Sequence, residues 1–209
     1  MTIDLPAARE IIVVNDGSSD GTRQVLDRLE GTDRLRILHA ERNRGKGHAI
    51  RLGLGAARGE VFAIQDADLE LDPAQLASLV APLLAGEADV VYGSRFLHGT
   101  PPAPRLTILA NRSLTMLTNV LFGSSITDME TCYKIMRTSV ARSLGLTADR
   151  FDIEPEITAR LLMAGHTIVE RPVIFTPRSR AAGKKIGWRD GVTAVRVLLR
   201  HRFARNRRA

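Results

Sequence analysis

Between Glu10 and Tyr92 the chain alternates short β-branched apolar runs with helix-like segments, and this alternation constrains its fold more than any other feature. Glu10–Val14 reads as a strand closed by Asn15-Asp16-Gly17, and Gly21–Leu29 as a helix with Asp20 at its N-cap. Leu35–His39 is a strand, Gly47–Ala57 an Ala/Leu-rich helix, Val61–Gln65 a strand, Pro73–Leu84 a helix opened by proline, and Ala88–Tyr92 a strand. Such β-α-β-α order predicts an α/β fold with a mostly parallel sheet flanked by helices. Ligands of such sheets sit outside the carboxyl ends of the strands, so Asp16 and the Asp66/Asp68 pair are expected at one rim. Further on come a Gly/Pro-rich loop, Gly93–Pro104, long enough for a mobile lid, and a helix over Leu106–Phe122. A short strand at Thr131–Met136, a helix at Ile153–Met163 and a strand at Thr167–Phe175, interrupted by Pro172, complete the pattern.

With 209 residues the chain is one domain or one domain plus an appendage. No apolar run reaches 18 residues and no signal peptide opens it, and the single Cys132 suits a reducing compartment. The net charge of +7 looks like a nucleic-acid signal until it is mapped. Residues 178–209 hold 11 Lys/Arg against one acid, Asp190, whereas residues 1–177 are slightly acidic. The basic character belongs to a tail, which excludes a nucleic-acid role for the domain. The expected division is a domain over residues 1–187 and a basic amphipathic tail over 188–209. In the tail Trp188, Val192, Val195, Leu199 and Phe203 form one helical stripe with Arg189, Arg196 and Arg200 beside it. Such a helix either lies in a membrane interface or packs its stripe on the domain.

Three local patterns carry chemistry. In VVNDGSSDGT (13–22), Asp16 can accept from a base N–H, and Gly17 permits close approach. In NRGKGHAIRLGL (43–54), two cations and two glycines precede a helix N-terminus, a favourable place for phosphate. In QDADLELDP (65–73), Asp66, Asp68 and Glu70 alternate along an extended chain and face one side. Three such carboxylates either hold a hard divalent cation, Mg²⁺ or Mn²⁺, or form a solvated acidic turn.

In this order and spacing the three patterns resemble the inverting family 2 glycosyltransferases of the GT-A fold, a nucleotide-sugar-binding architecture. The resemblance covers about residues 10–190 and is greatest to the polyprenyl-phosphate sugar synthases, the dolichyl-phosphate mannosyltransferase type. It implies a metal-dependent inverting transfer from a GDP- or UDP-sugar to a polyprenyl (dolichyl or undecaprenyl) phosphate. By resemblance Asp16 contacts the nucleobase and Lys46 lies along the nucleotide. Asp66 and Asp68 form the D-x-D pair, with Asp68 the leading metal ligand and Glu70 where some relatives carry Gln. Gly93-Ser94-Arg95 matches the strand end that opens the acceptor loop. Thr127-Asp128 with Cys132-Tyr133-Lys134 matches a T-D…G-F-R segment, with Cys132, Tyr133 and Lys134 in place of its Gly, Phe and Arg. Phe151-Asp152-Ile153-Glu154 matches an F-x-x-E helix start. Arg178 and Lys184 match a stretch that closes over the donor, without its usual serine.

For a sugar-hydroxyl acceptor Asp128 is the candidate base; for a lipid phosphate, already ionised near neutral pH, positioning cations matter more, and Arg95, Arg105 and Arg112 suit that role. A saccharide or cell-envelope glycan acceptor is the second reading, and a non-catalytic remnant that binds nucleotide or membrane the third. No Q-x-x-R-W motif is present, which argues against a processive polymerase. The resemblance places the enzyme in the cytoplasm, peripheral on the inner face of the cell membrane. The family normally has a further strand, a Pro-x-x-Asn-Glu turn and a helix before the Glu10–Val14 strand, where here nine residues stand. That strand is central in the family's sheet, so a gap and unpaired backbone are expected beside Glu10–Val14; a late start, through a mis-called start codon or truncation, is the first reading, and a weakly active or inactive product the second.

Overall fold

The computed structural model describes residues 7–177 and 188–204. The element order is β1 (Ile11–Asn15), α1 (Thr22–Asp27), β2 (Leu35–His39), α2 (Lys46–Ala56), β3 (Val61–Ala63), a 3₁₀ turn at Pro73–Gln75 leading into α3 (Leu76–Leu84), β4 (Val90–Ser94) and α4 (Arg105–Phe122). There follow β5 (Lys134–Arg137), α5 (Thr138–Ser143), α6 (Ile153–Met163), β6 (Val169–Pro172) and α7 (Trp188–Ala204). Every element expected from periodicity is present, most with shifted ends, and α5 is an addition. Its six residues are too few to show a helical period.

The sheet is divided. β1 pairs with β2 in parallel, and a second sheet runs β3-β5-β4-β6. In that second sheet β4 and β6 are parallel, while β5 is antiparallel to both β3 and β4. The expectation of a mostly parallel sheet is thus corrected to a mixed one. β5 enters from the loop after α4, and its sequence carries no mark of direction. Among the described residues no strand joins β1 to β3, and Ile11 and Ala63 are exposed where such a neighbour would lie.

The core follows from β4, whose five residues are all buried because helices cover both faces. Val91 packs with Leu79 and Leu83 of α3, while Val90 and Tyr92 pack with Ile153, Ile157 and Leu161 of α6. This is the period-2 alternation of a strand between two layers. Each fully buried leucine of α3 contributes about 1.5–3 kcal/mol. Gly93 continues β4 because a Cβ there would meet Val173 Cγ1 at 2.7 Å and Tyr133 Cβ at 2.9 Å. Asp72 caps the turn into α3 by accepting from Ala74 N at 2.9 Å, with Pro73 at the first position.

α7 packs beside α4 and α6 and buries Leu198 in a cluster with Ile126, Met129 and Ala159, with Ala194 buried as well. Of the apolar stripe, Val192, Leu199 and Phe203 are exposed and Val195 is half-buried, and Arg189, Arg196 and Arg200 are exposed. On α4, Leu106, Leu109, Met116 and Val120 are exposed along one face. Among the described residues no helix is long and apolar enough to cross a membrane.

Candidate active site

The carboxyl ends of β1, β3 and β4 carry the expected residues. Asp16 follows β1 and accepts from the backbone N–H groups of Arg44 (3.1 Å) and Gly45 (2.6 Å), with His48 Nδ1 at 3.3 Å. Gly17 adopts φ +66°, and a Cβ on it would lie 2.5 Å from the backbone of Arg42 and Asn43. Only glycine lets these two loops meet, so the first two motifs form one structure. Asn15 is buried and hydrogen-bonds His39 Nδ1 at 3.1 Å.

The N-terminus of α2 is not open as its sequence implied. The loop 147–150 lies against it: His48 N donates to Asp149 O at 2.9 Å, and a Cβ on Gly47 would sit 2.3 Å from Ala148 O. The Asp149 carboxylate holds Arg44 (2.9 Å) and Arg51, whose guanidinium groups keep its pKa low.

Lys46 points from α2 toward the end of β3. Its ammonium hydrogen-bonds Asp66 Oδ2 at 2.7 Å and stands 2.7 Å from Glu154 Oε1, a charge contact whose angle is too poor for a hydrogen bond. Glu154 Oε2 in turn accepts from Lys134 Nζ, which also donates to Met129 O (2.9 Å) and Thr131 O (2.5 Å). A buried chain Asp66–Lys46–Glu154–Lys134 therefore links α2, β3, α6 and β5. Burial opposes the Lys46 charge, but Glu154, Cys132 and Asp66 outweigh it and raise its pKa well above the ordinary value. Burial likewise opposes ionised Glu154, and Lys134 and Lys46 prevail and lower its pKa.

β3 ends at Ala63, and the chain turns at Ala67–Asp68, with Leu69 at φ +61° and 81% exposed. The acidic segment is therefore a turn and not an extended run, although Asp66, Asp68 and Glu70 remain half-buried between exposed Gln65, Ala67 and Leu69. Asp68 Oδ1 accepts from Glu70 N at 3.1 Å. Among the described residues no three His, Cys, Asp or Glu side chains are gathered close enough to hold an ion. The all-oxygen donor set nevertheless fits a hard cation that shares its shell with a substrate diphosphate, a mode needing only one or two protein carboxylates.

On the other side of β4, Arg95 and Asp128 bind each other. Arg95 Nε and Nη2 donate to Asp128 Oδ2 and Oδ1 at 2.7 and 2.8 Å, and Arg95 N donates to Oδ2 at 3.0 Å. Asp128 is fully buried, and Arg95 also lies over the Phe175 ring at 5.4 Å. Glu170 of β6 fixes this loop by accepting from Thr127 N and Asp128 N at 2.8 and 3.1 Å. Asp128, expected as a free base, is instead one half of a bidentate pair. Arg105 is exposed at the start of α4, and Arg112 stands over the Phe96 ring at 5.4 Å. Arg178 and Lys184 lie outside the described residues. Sequence reasoning missed Glu130, Asp149 and Glu170. Each comes from a separate segment, and nothing in its own neighbourhood marks it.

Two carboxylate-bearing loops, a lysine and a guanidinium are gathered near the carboxyl ends of β1, β3 and β4 in a fold of the GT-A type. The model of glycosyl transferase family 2 matches residues 5–145, and the chain belongs to that family. The protein is an enzyme of the glycosyltransferase class. It is 30% identical over 187 residues to polyprenol monophosphomannose synthase of Mycolicibacterium smegmatis, covering 85% of this chain and 70% of that one. It is 28% identical over 197 residues to undecaprenyl-phosphate mannosyltransferase of Micrococcus luteus, covering 90% of this chain and 80% of that one. Glycosyltransferase AglD of Haloferax volcanii is 31% identical over 184 residues, which is 83% of this chain but only 29% of the relative's length. Among solved structures, glucosyl-3-phosphoglycerate synthase of Mycobacterium tuberculosis superposes with a TM-score of 0.67 at 20% identity over 92% of this chain and 69% of that one, a likeness of fold. That synthase has been seen with Mn²⁺, UDP-glucose and phosphoglyceric acid.

Proposed function

We propose that the protein transfers a sugar, with inversion, from a nucleotide-sugar to a polyprenyl phosphate at the cytoplasmic face of a membrane. The observation that carries the acceptor is the Arg95–Asp128 pair: the carboxylate that the sequence offers as base for a sugar hydroxyl is buried and occupied by a guanidinium. A phosphate is a ready nucleophile near neutral pH and needs no strong base. The two mannosyltransferase relatives, named for polyprenyl acceptors, support the same acceptor.

In this reading the nucleotide lies along the Asp16–Arg44–Gly45 junction, and Lys46, held by Glu154, orients Asp66 beside the diphosphate. Asp66, Asp68 and Glu70 would hold Mg²⁺ or Mn²⁺, which offsets the charge that builds on the diphosphate as it leaves. Arg95 keeps the acceptor loop against β4, and Arg105 and Arg112 meet the acceptor phosphate. The exposed Val192, Leu199 and Phe203 of α7 and the arginines beside them face anionic lipid.

Membranes incubated with the protein and labelled nucleotide-sugars test this directly. Label is expected in a mild-acid-labile lipid. Label confined to water-soluble glycan would overturn the acceptor assignment.

A further inference from the structure

Three buried side-chain atoms among the described residues lack a hydrogen-bond partner: Arg51 Nε, Glu154 Oε1 and Glu130 Oε1. The first belongs to a guanidinium already bound to Asp149, and the second lies 2.7 Å from the Lys46 ammonium. Glu130 Oε1 has neither a hydrogen bond nor an ion pair. A carboxylate oxygen out of water with no donor is costly, on the order of 1–3 kcal/mol or more, and such an atom is accounted for when a ligand brings the donor.

Its position is fixed from both sides. Met129 N donates to Thr115 Oγ1 at 3.1 Å, and Thr131 Oγ1 donates to Gly93 O at 2.6 Å. Glu130 is thus held on the short loop that carries Asp128. The groups facing it are Lys134 of β5, Glu154 of α6, Arg95 after β4, and Asp128 on its own loop. It stands between the donor-side charge chain and the acceptor-side pair, where the two substrates of a transfer reaction would meet.

We propose that Glu130, and not Asp128, is the catalytic carboxylate of the acceptor side, its Oε1 taking the remaining proton of an acceptor phosphate monoester. This rests on the phosphate-acceptor reading above. A monoester arriving as its monoanion passes its P–OH proton to Glu130. The freed oxygen forms the bond to the anomeric carbon, and the bond from that carbon to the diphosphate oxygen breaks. The electron pair leaves with the nucleoside diphosphate, and Glu130 then returns its proton to solvent. The acidities match. Burial chiefly, with Glu154 and Asp128, raises Glu130 against Lys134 and Arg95 to a pKa of about 7, close to the second ionisation of a phosphate monoester at about 6. A base of that strength serves a phosphate.

The test combines transfer to a short-chain polyprenyl phosphate with ¹³C-carboxyl NMR titration of glutamate-labelled protein, for the wild type, Glu130→Gln and Glu130→Asp. In the wild type one carboxyl is expected to titrate near pH 7, and to vanish in Glu130→Gln. Glu130→Gln should lose about tenfold in kcat at pH 5, where the monoester arrives mostly as its monoanion, and little at pH 8, where it is already the dianion. Binding of nucleoside diphosphate with Mn²⁺ should be unchanged, and Glu130→Asp should recover part of the rate. Wild-type transfer to the lipid phosphate, undiminished in Glu130→Gln at pH 5, overturns this inference and leaves the proposed function standing. Transfer only to glycan overturns the proposed function and the phosphate role with it. Where neither transfer is seen, the absence of a carboxyl titrating near pH 7 overturns the inference by itself.

Discussion

The two sheets of this molecule are built from similar sequence and end in very different environments. β1 and β4 are both five-residue strands that open with β-branched aliphatic residues, yet β4 is wholly buried whereas only Asn15 is buried in β1. β2 and α1 contribute no buried residue. The β4 half is clamped by α3 and α6 and holds most of the core. The β1–β2 half is held by its own ladder, by α2 and by the Asp16 contacts to the next loop. In the proposed reading nucleotide recognition falls to the thinner half and catalysis to the place where the two meet. Ligand-binding regions are commonly drawn from the less stable part of a fold.

Several substitutions sharpen or break this contrast. Glu154→Ala strands two lysine ammonium groups in the interior and should cost about 3–5 kcal/mol, read by urea denaturation. A loss below about 1 kcal/mol would show that water already reaches this chain. Leu79→Ala, at 0% exposure in the β4 half, should cost about 2–5 kcal/mol, against roughly 1 kcal/mol for Val13→Ala in half-buried β1. Equal costs would erase the distinction between the halves. Asp68→Ala should lower transfer by about 10²–10³-fold with little change in the melting temperature. Retained transfer would remove the acidic turn from the site.

The pH dependence of stability separates the halves further. Glu130 is raised in the folded state from 4.5 to about 7, so the folded state binds more protons than the unfolded one in that interval. Its contribution is complete below pH 4.5 and is lost as pH rises through about 7. Glu130→Gln should flatten that slope, and an unchanged slope would place its origin elsewhere. The smallest effect is expected at the surface. Val192→Ser with Leu199→Ser on α7 should reduce sedimentation with anionic vesicles by a few-fold, at about 1 kcal/mol per lost apolar contact, while leaving α7 docked through Ala194 and Leu198.

Much of the fold was legible because periodicity reports how many faces of an element are covered. Leu35–His39 and Ile153–Met163 coincide with their expected bounds. The acidic turn was legible as a composition but not as a shape, since the reversal at Leu69 depends on Leu71 bridging to Phe175 a hundred residues later. On α7 the exposed Val192, Leu199 and Phe203 lie away from the buried Ala194 and Leu198. Which face docks was decided by the groove that α4 and α6 present. The face bearing Ala194 and Leu198 is the one buried there.

From the sequence alone came the order of elements, the rim on which the carboxylates lie, and the family. Those depend on local spacing and on motif chemistry that survive without a partner. Only the tertiary structure decided which charges neutralise one another. Asp128 is removed as a free base by Arg95, Lys46 is turned inward by Glu154, and among the described residues Glu130 keeps a buried oxygen with neither hydrogen bond nor ion pair. The reason is electrostatic. In the interior the state of a charge is set by whichever opposite charge packing brings within about 3 Å, and that neighbour is 20 to 108 residues away in the pairs Lys46–Asp66, Arg95–Asp128 and Lys46–Glu154.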